Sequence, residues 1–144
     1  MLIDVKYTSV SQVPDMPRIL ESERTEYGIR KDGRPYGVYG IKFIKNRVDY
    51  LVCRTEDLPI FRPSWLFGVR DPAIPSGWKL CNTIYNKEYA PLYHRWGISC
   101  LIGYDELTTN PEHYDGILNL DETALRKFFR IKNTIDLELY GKVI

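Results

Sequence analysis

The sequence predicts a single α+β domain in which a mainly antiparallel sheet carries a C-terminal amphipathic helix. Three observations favour this class. The 144 residues match one domain of common size, and their 44% hydrophobic and 27% charged residues are typical of soluble globular proteins. Strand-like segments precede the clearest helical pattern along the chain. No repeat, low-complexity tract or linker divides residues 1–144, so we expect one domain.

The first predicted strand covers residues 2–8, where side chains alternate with the period of a half-buried strand. The charged segment 18–27 carries Ile19 and Leu20 near one end, which predicts a short surface helix. No other regular element is predicted before residue 30.

A hairpin is predicted next. The Asp-Gly step within residues 31–35 is typical of a turn, and Pro35 fixes the exit of the chain. Residues 36–44 and 48–53 are rich in aromatic and β-branched side chains, which favour strands. The polar connection at 45–47 is short enough to join them as a hairpin.

Prolines dominate the next segment, residues 55–78, which contains Pro59, Pro63, Pro72 and Pro75. This density predicts an irregular connection without long helices or central strands. Its apolar aromatic residues are expected to form a lid on the core, with a ligand groove or partner surface as the alternative. Strands are predicted at 78–85 and 99–104, and the periodicity of 88–96 is ambiguous.

The last element is an amphipathic helix that begins near Asn119 and runs to about Lys132. Asn119 and Glu122 have the spacing of a capping box, and Asp121 is a competing cap. One side of the helix carries its apolar residues, namely Leu120, Ala124, Leu125, Phe128 and Ile131. We expect this side to pack on the sheet.

Charge and cysteine content narrow the functional class. The net charge of +1 gives no whole-chain reason to bind nucleic acid or an anionic membrane. No run of about 18 apolar residues or signal peptide is evident, so we expect no membrane span. Three widely spaced cysteines do not form the pattern of a secreted disulfide scaffold. These features predict a cytoplasmic protein with reduced thiols.

Catalytic and metal-binding patterns are absent from the sequence. Cys81, His94 and Cys100 are the candidates for a thiol and a base, which leaves a small cysteine/histidine-dependent enzyme as an alternative function. With His113 they lack the paired spacing of zinc ligands. Gly37 and Gly40 lie in a strand-like run without the lysine of a phosphate-binding loop. We predict no catalytic residue, metal or cofactor.

Basic residues cluster around the hairpin and suggest a second, less favoured alternative, a nucleic-acid-binding module. The set comprises Arg30, Lys31, Arg34, Lys42, Lys45, Arg47 and Arg54. Tyr36 and Tyr39 alternate with these charges, and such rings can stack on the bases of single-stranded nucleic acid. Protection of strand edges by basic side chains is the favoured interpretation, because Glu56 and Asp57 follow directly.

An acidic stretch is the most informative local asymmetry. Residues 105–122 contain acidic side chains and no Lys or Arg, interleaved with Leu107 and Tyr114. A protein that binds a basic partner uses carboxylates to steer the encounter and aromatic rings to anchor it. The alternative is that these acids complement turns and helix N-termini. The predicted contact set is Tyr104, Asp105, Glu106, Glu112, Tyr114 and Asp115.

A resemblance supports the same role. The motifs Trp65-x-x-Gly68 and Asp71-Pro72-x-x-Pro75-x-x-Trp78 are followed by Tyr104-Asp105-Glu106 and a charged C-terminal helix. In these features residues 60–132 resemble small bacterial immunity proteins, which neutralise a cognate toxin. The resemblance implies a non-enzymatic inhibitor that occludes the toxin's active site, and many such toxins are basic nucleases. We therefore expect a protein-binding module whose partner is a cognate protein toxin.

Overall fold

One antiparallel sheet and four helices make up the fold. The computed structural model describes residues 1–13 and 16–144, and all element counts refer to these residues. The strands are β1 (Leu2–Val5), β2 (Tyr36–Ile44), β3 (Arg47–Val52), β4 (Ile60–Pro63), β5 (Phe67–Asp71), β6 (Lys79–Asn82) and β7 (Ile98–Gly103). The helices are α1 (Ala90–Trp96), α2 (Asp105–Thr109), α3 (Pro111–Leu118) and α4 (Glu122–Tyr140). The predicted α+β class with a C-terminal helix on the sheet is confirmed.

The long strand β2 organises the sheet. It pairs with β3 along one edge, and along the other edge its start pairs with β1 and its later part with β7. The order is β4-β3-β2-β1-β5, with β6 added beside β7. A register shift between Val38 and Gly40 lies where β2 passes from β1 to β7. Such a bulge bends and twists its strand, which suits this change of neighbour.

The predicted hairpin is confirmed as β2 and β3. Lys45 and Asn46 form its turn, and Lys45 adopts the left-handed conformation with φ 52°. A positive φ at the first turn residue matches the twist of the two strands. The hairpin therefore forms as local composition predicts, although the turn contains no glycine.

Two hydrophobic cores cover opposite faces of the sheet. The first core lies under the helices and includes Leu51, Leu101, Leu107 and Phe128. The second core lies on the other face, where β1, β5 and the N-terminal segment pack around Ile3 and Leu66. Successive residues of a strand point to opposite faces, so β2 and β3 contribute to both cores. Both faces of the sheet centre are therefore buried.

The helices α3 and α4 begin at side-chain caps. The Asn110 side chain accepts hydrogen bonds from the backbone N–H groups of Glu112 and His113, and Asp121 accepts one from Ala124. The cap of α4 is thus Asp121, the competing candidate, and not Asn119. The helix also continues past Lys132 to Tyr140, so its predicted end is too early.

The helix predicted at 18–27 is wrong, because these residues form bends, a turn and an isolated bridge. The proline-rich segment 55–78 has no long helix and no central strand, as predicted, but it is not wholly irregular, because it contains the edge strands β4 and β5. Both strands pair along one edge only and lie between prolines, Pro63 closing β4 and Pro72 following β5. Edge strands tolerate proline because their outer N–H groups need no partner in the sheet. No helix in the described parts of the chain is long and apolar enough to cross a membrane.

Candidate partner-binding surface

Two of the six predicted contact residues, Tyr104 and Tyr114, lie in the first core. Their exposed fractions are 5% and 1%. Tyr104 follows β7, and its Oη lies 2.6 Å from Nε2 of the buried His113. Tyr114 faces inward from α3 and packs on Phe61. Burial raises the pKa of both phenols. The expectation that these rings face solvent is wrong, because both rings belong to the apolar layer between the helices and the sheet.

The four predicted acids have different environments. Asp105 forms an ion pair with Lys79 at 2.5 Å on the surface. Glu106 is half-buried, whereas Glu112 and Asp115 are exposed. Within the described residues no cation lies within 4 Å of the last three carboxylates. Asp105, Glu106 and Glu112 lie in the first turns of α2 and α3, where negative charge complements the helix dipole.

Glu112 and Asp115 share one side of α3. Residues three apart on a helix are neighbours on its surface, so their two negative charges act together. On the side of Asp115, a recess is lined by residues of both α1 and α3. Part of the predicted acidic patch therefore exists, on the exposed side of α3 and without the tyrosines.

Aromatic groups that sequence reasoning missed lie on and before α1. Tyr85 is 86% exposed and Trp96 is 56% exposed, and Tyr93 is also exposed. Tyr93 and Trp96 belong to residues 88–96, whose periodicity is ambiguous in the sequence, and Tyr85 ends the segment 78–85 that the sequence predicts as a strand. Two residues of the sequence indicate the ends of α1. Pro91 lies in its first turn, and Gly97 follows its last turn with φ 71°. A short helix between them exposes its outer aromatic side chains.

The recess between α1 and α3 brings acids and an aromatic ring together. Its volume is about 190 Å³, and its lining comprises Glu88, Tyr89, Pro91, Leu92, Arg95, Trp96, Pro111, Tyr114 and Asp115. Glu88 and Asp115 supply carboxylates, and Arg95 supplies one cation that forms no ion pair with a described residue. We define the α1–α3 surface as Tyr85, Glu88, Tyr93, Trp96, Glu112 and Asp115. It combines exposed rings with carboxylates that form no ion pair with the described part of the chain.

The residues of the cysteine and histidine alternative are not assembled into a site. Cys81 pairs with Leu101 and Cys100 pairs with Asn82, so the two thiols project from opposite faces of the sheet. Burial raises the pKa of both thiols, which disfavours the reactive thiolate. His94 is exposed on α1 and forms no hydrogen bond with either thiol. The described residues also contain no group of three potential metal ligands.

The basic residues of the nucleic-acid alternative are largely neutralised within the fold. Arg30 pairs with Asp57 and Arg34 with Asp32. Arg47 forms ion pairs with Glu21 and Asp49. Arg54 forms an ion pair with Asp32. Lys42 is buried over the Phe61 ring, and burial lowers its pKa to about 8. Few of these cations remain available to phosphates, which removes the main support for that alternative.

Comparisons of the sequence and the structure with known proteins found no similar protein. No family model matches the chain, and no curated protein and no solved structure is significantly similar to it. The proposed role of the α1–α3 surface therefore depends on the exposure, charge and shape of its own residues.

Proposed function

We propose that this protein is a protein-binding module that neutralises a basic protein, as an immunity protein neutralises its cognate toxin. The α1–α3 surface is the proposed contact. The observation that carries the proposal is that Trp96, which is 56% exposed, lines one recess with Glu88 and Asp115, and neither carboxylate forms an ion pair with a described residue. Large exposed aromatic side chains near unpaired charge are more typical of an interface than of ordinary protein surface.

The two kinds of side chain have separate tasks in this proposal. Trp96 and Tyr93 bury apolar area against the partner and supply most of the binding free energy. Glu112 and Asp115 attract a basic partner before contact, which increases the rate of association. The whole chain has a net charge of only +1, so this attraction is local to the surface.

The recess contains two carboxylates, of Glu88 and Asp115, against one cation, of Arg95, so its net negative charge favours a basic side chain of the partner. Glu88 and Asp115 lie on its wall and can accept charge-assisted hydrogen bonds from an inserted arginine or lysine. Trp96 lies on the same wall and offers its ring for a cation–π contact. An active site that binds an anionic substrate commonly contains such basic residues, so the same contact would block the partner's function.

The proposed contact set differs from the one predicted from sequence. Glu112 and Asp115 remain, whereas Tyr104 and Tyr114 are replaced by Tyr93 and Trp96 as anchors. Asp105 already pairs with Lys79, so its carboxylate is the least available of the predicted acids. Glu106 has no ion-pair partner among the described residues, but it lies on α2 and is not part of the α1–α3 surface.

A growth assay tests the proposed role. Each neighbouring gene product is expressed in bacteria with and without this protein. Restored growth identifies the toxin, and the absence of rescue for every neighbour contradicts the immunity role.

Variants of the purified pair then test the surface. Trp96→Ala is expected to weaken binding about 30-fold or more, as for an aromatic hot spot. Glu112→Gln with Asp115→Asn is expected to slow association and to reduce its dependence on salt. The matched control, Glu23→Gln with Glu26→Gln, removes two exposed acids elsewhere. Equal association rates for both double variants would show that the wrong surface was chosen.

A further inference from the structure

A second recess lies beside the edge strand β4. Its volume is about 380 Å³, which falls near the lower end of the range for small-molecule sites, about 300–1,000 Å³. The lining comprises Tyr27, Gly28, Ile29, Tyr36, Val52, Asp57, Leu58, Pro59, Ile60, Phe61, Arg62, Ile117, Leu118 and Leu120. We call this cavity the β4 recess. It shares no lining residue with the recess between α1 and α3.

Aliphatic side chains from two separate segments are exposed around the β4 recess. Leu58 precedes β4 and Ile60 begins it, while Leu118 ends α3 and Leu120 lies between α3 and α4. Their exposed fractions lie between 44% and 50%. Single exposed apolar residues are common, but four around one cavity form a patch of the kind found at binding sites.

Leu120 adopts an unusual backbone conformation at the wall of this recess. Its φ is 55°, in the left-handed region that glycine or asparagine usually occupies. For leucine this conformation is unfavourable, and such strain is found where the residue has a specific task. Here it directs the chain from α3 into α4 and leaves the leucine side chain exposed on the recess wall.

Arg62 supplies an unpaired positive charge in the same recess. Its guanidinium lies over the Tyr27 ring at 5.4 Å, and Nη2 donates a hydrogen bond to the Tyr27 carbonyl oxygen at 2.8 Å. In the described ranges no carboxylate lies within 4 Å of it. Burial lowers the pKa of Arg62, yet an arginine keeps its charge in proteins. Among the described residues, the Tyr27 carbonyl oxygen is the one hydrogen-bond acceptor of Arg62, so most of its five N–H donors are available to a ligand.

The other charge on the wall is already neutralised. Asp57 accepts hydrogen bonds from Nη1 and Nη2 of Arg30 at 3.0 and 2.9 Å. The recess thus presents a mostly aliphatic wall with one available cation. This chemistry disfavours a polyanion such as a nucleotide, which requires several donors around its phosphates.

We propose that the β4 recess binds a small apolar carboxylate, such as a medium-chain fatty acid. The hydrocarbon chain lies against Leu58, Ile60, Leu118 and Leu120, and the carboxylate accepts hydrogen bonds from Arg62. Burial of exposed aliphatic side chains supplies affinity, and the paired charge fixes the orientation of the ligand.

A matched pair of ligands tests the proposal. Decanoate and the neutral alcohol decanol have the same hydrocarbon chain, and both are titrated below the micelle concentration by calorimetry. Trp65 fluorescence gives a second readout, because its ring packs edge-on against Tyr27 at 6.0 Å. We expect saturable binding of one decanoate and about tenfold weaker binding of decanol, since a charge-assisted hydrogen bond is lost. Equal affinities would overturn the role of Arg62.

Variants separate the recess from general hydrophobic binding. Leu118→Asp places a repelling carboxylate on the rim and is expected to reduce decanoate affinity at least tenfold. Because Leu118 is 50% exposed, the variant should fold, which circular dichroism checks. Leu137→Asp is the control, since Leu137 is similarly exposed on α4 at 58%.

Arg62→Gln is expected to bind decanoate only as tightly as decanol. Wild-type affinity in Leu118→Asp, or equal losses in Leu118→Asp and Leu137→Asp, would overturn the proposed site. Binding of an apolar peptide in place of decanoate would also contradict a small-molecule ligand.

Discussion

At the scale of single residues, a buried ion pair connects α4 to the sheet. Nζ of Lys132 lies 2.7 Å from Oδ2 of Asp136, and the two side chains are 1% and 0% exposed. Tyr39 of β2 donates its hydroxyl hydrogen to Oδ1 of the same carboxylate at 2.7 Å. The backbone N–H of Ile144 donates to Oδ2 at 3.1 Å, and Lys132 also donates to the Ile144 carbonyl oxygen. The buried carboxylate is therefore fully partnered.

Loss of one member of this pair is expected to destabilise the fold strongly. Asp136→Asn keeps the shape and leaves the Lys132 charge buried without a counter-ion, which costs about 3–5 kcal/mol. The matched control is the exposed pair of Glu122 and Arg126, which has the same i,i+4 spacing in α4. Arg126→Ala is expected to cost less than about 0.5 kcal/mol. Urea unfolding measures both, and similar losses would contradict the argument.

His113 is expected to make stability depend on pH. Burial and the nearby Lys127 lower its pKa below the ordinary 6.5, against a smaller opposite effect of Glu106. The unfolded chain therefore takes up a proton near pH 6.5 that the folded chain does not. The free energy of unfolding falls as the pH drops below this value, by at most about 1.4 kcal/mol per pH unit for one proton.

His113→Gln isolates this contribution. Glutamine retains an acceptor for the Tyr104 hydroxyl but does not titrate, so we expect a flatter dependence of stability between about pH 7 and 5.5. His94→Gln removes the other histidine, on the exposed side of α1, and serves as the control. Urea unfolding at each pH gives the slopes. The same slope in His113→Gln as in the wild type would rule out His113 as its source.

At the scale of elements, side-chain caps fix where α3 and α4 begin. Asp121→Ala removes the acceptor for the Ala124 N–H and is expected to cost about 0.5–2 kcal/mol. Asn119→Ala is the control, because the Asn119 side chain forms no hydrogen bond with the described residues. The free energy of unfolding measures both variants. A larger loss of stability in Asn119→Ala than in Asp121→Ala would contradict the assignment of Asp121 as the cap.

The same elements show how far the sequence predicts the fold. The hairpin β2–β3 is predicted because its signals are local, namely runs of β-branched and aromatic residues. The start of α4 is predicted only approximately, because Asn119 and Asp121 both have the chemistry of a cap and the fold uses Asp121. The extension of α4 to Tyr140 was missed, although Gly141 with φ 69° marks its end. The edge strands β4 and β5 were missed because proline density hides short strands, which only their pairing with β3 and β1 stabilises.

At the scale of the whole molecule, the candidate site depends on packing that no local pattern reveals. Tyr114 and Trp96 are both aromatic residues beside charges, and the sequence alone favours the former as an anchor. In the fold, α3 turns Tyr114 toward the sheet, while α1 leaves Trp96 exposed. Which aromatic residue faces solvent is decided by the contact between helix and sheet. The acids Glu112 and Asp115 were predictable because charged side chains seldom become buried.

The two cores are expected to unfold as one unit, because neighbouring residues of one hairpin serve both. In β2, Val38 faces the second core and Tyr39 faces the first. In β3, Val52 faces the second core and Leu51 faces the first. Disrupting either core therefore removes support from the strands beneath the other. A fold of this size with shared strands is expected to unfold in a single transition.

Two probes follow the two cores separately during urea unfolding. Trp65 and Trp78 pack against the second core, so fluorescence reports mainly on that face, and far-ultraviolet circular dichroism reports on the helices of the first. Leu66→Ala and Leu107→Ala each empty a fully buried site, one in each core, and should cost about 2–5 kcal/mol. Either variant is expected to shift both probes to the same lower midpoint. A shift of the fluorescence midpoint alone in Leu66→Ala would mean that the second core unfolds independently of the helices.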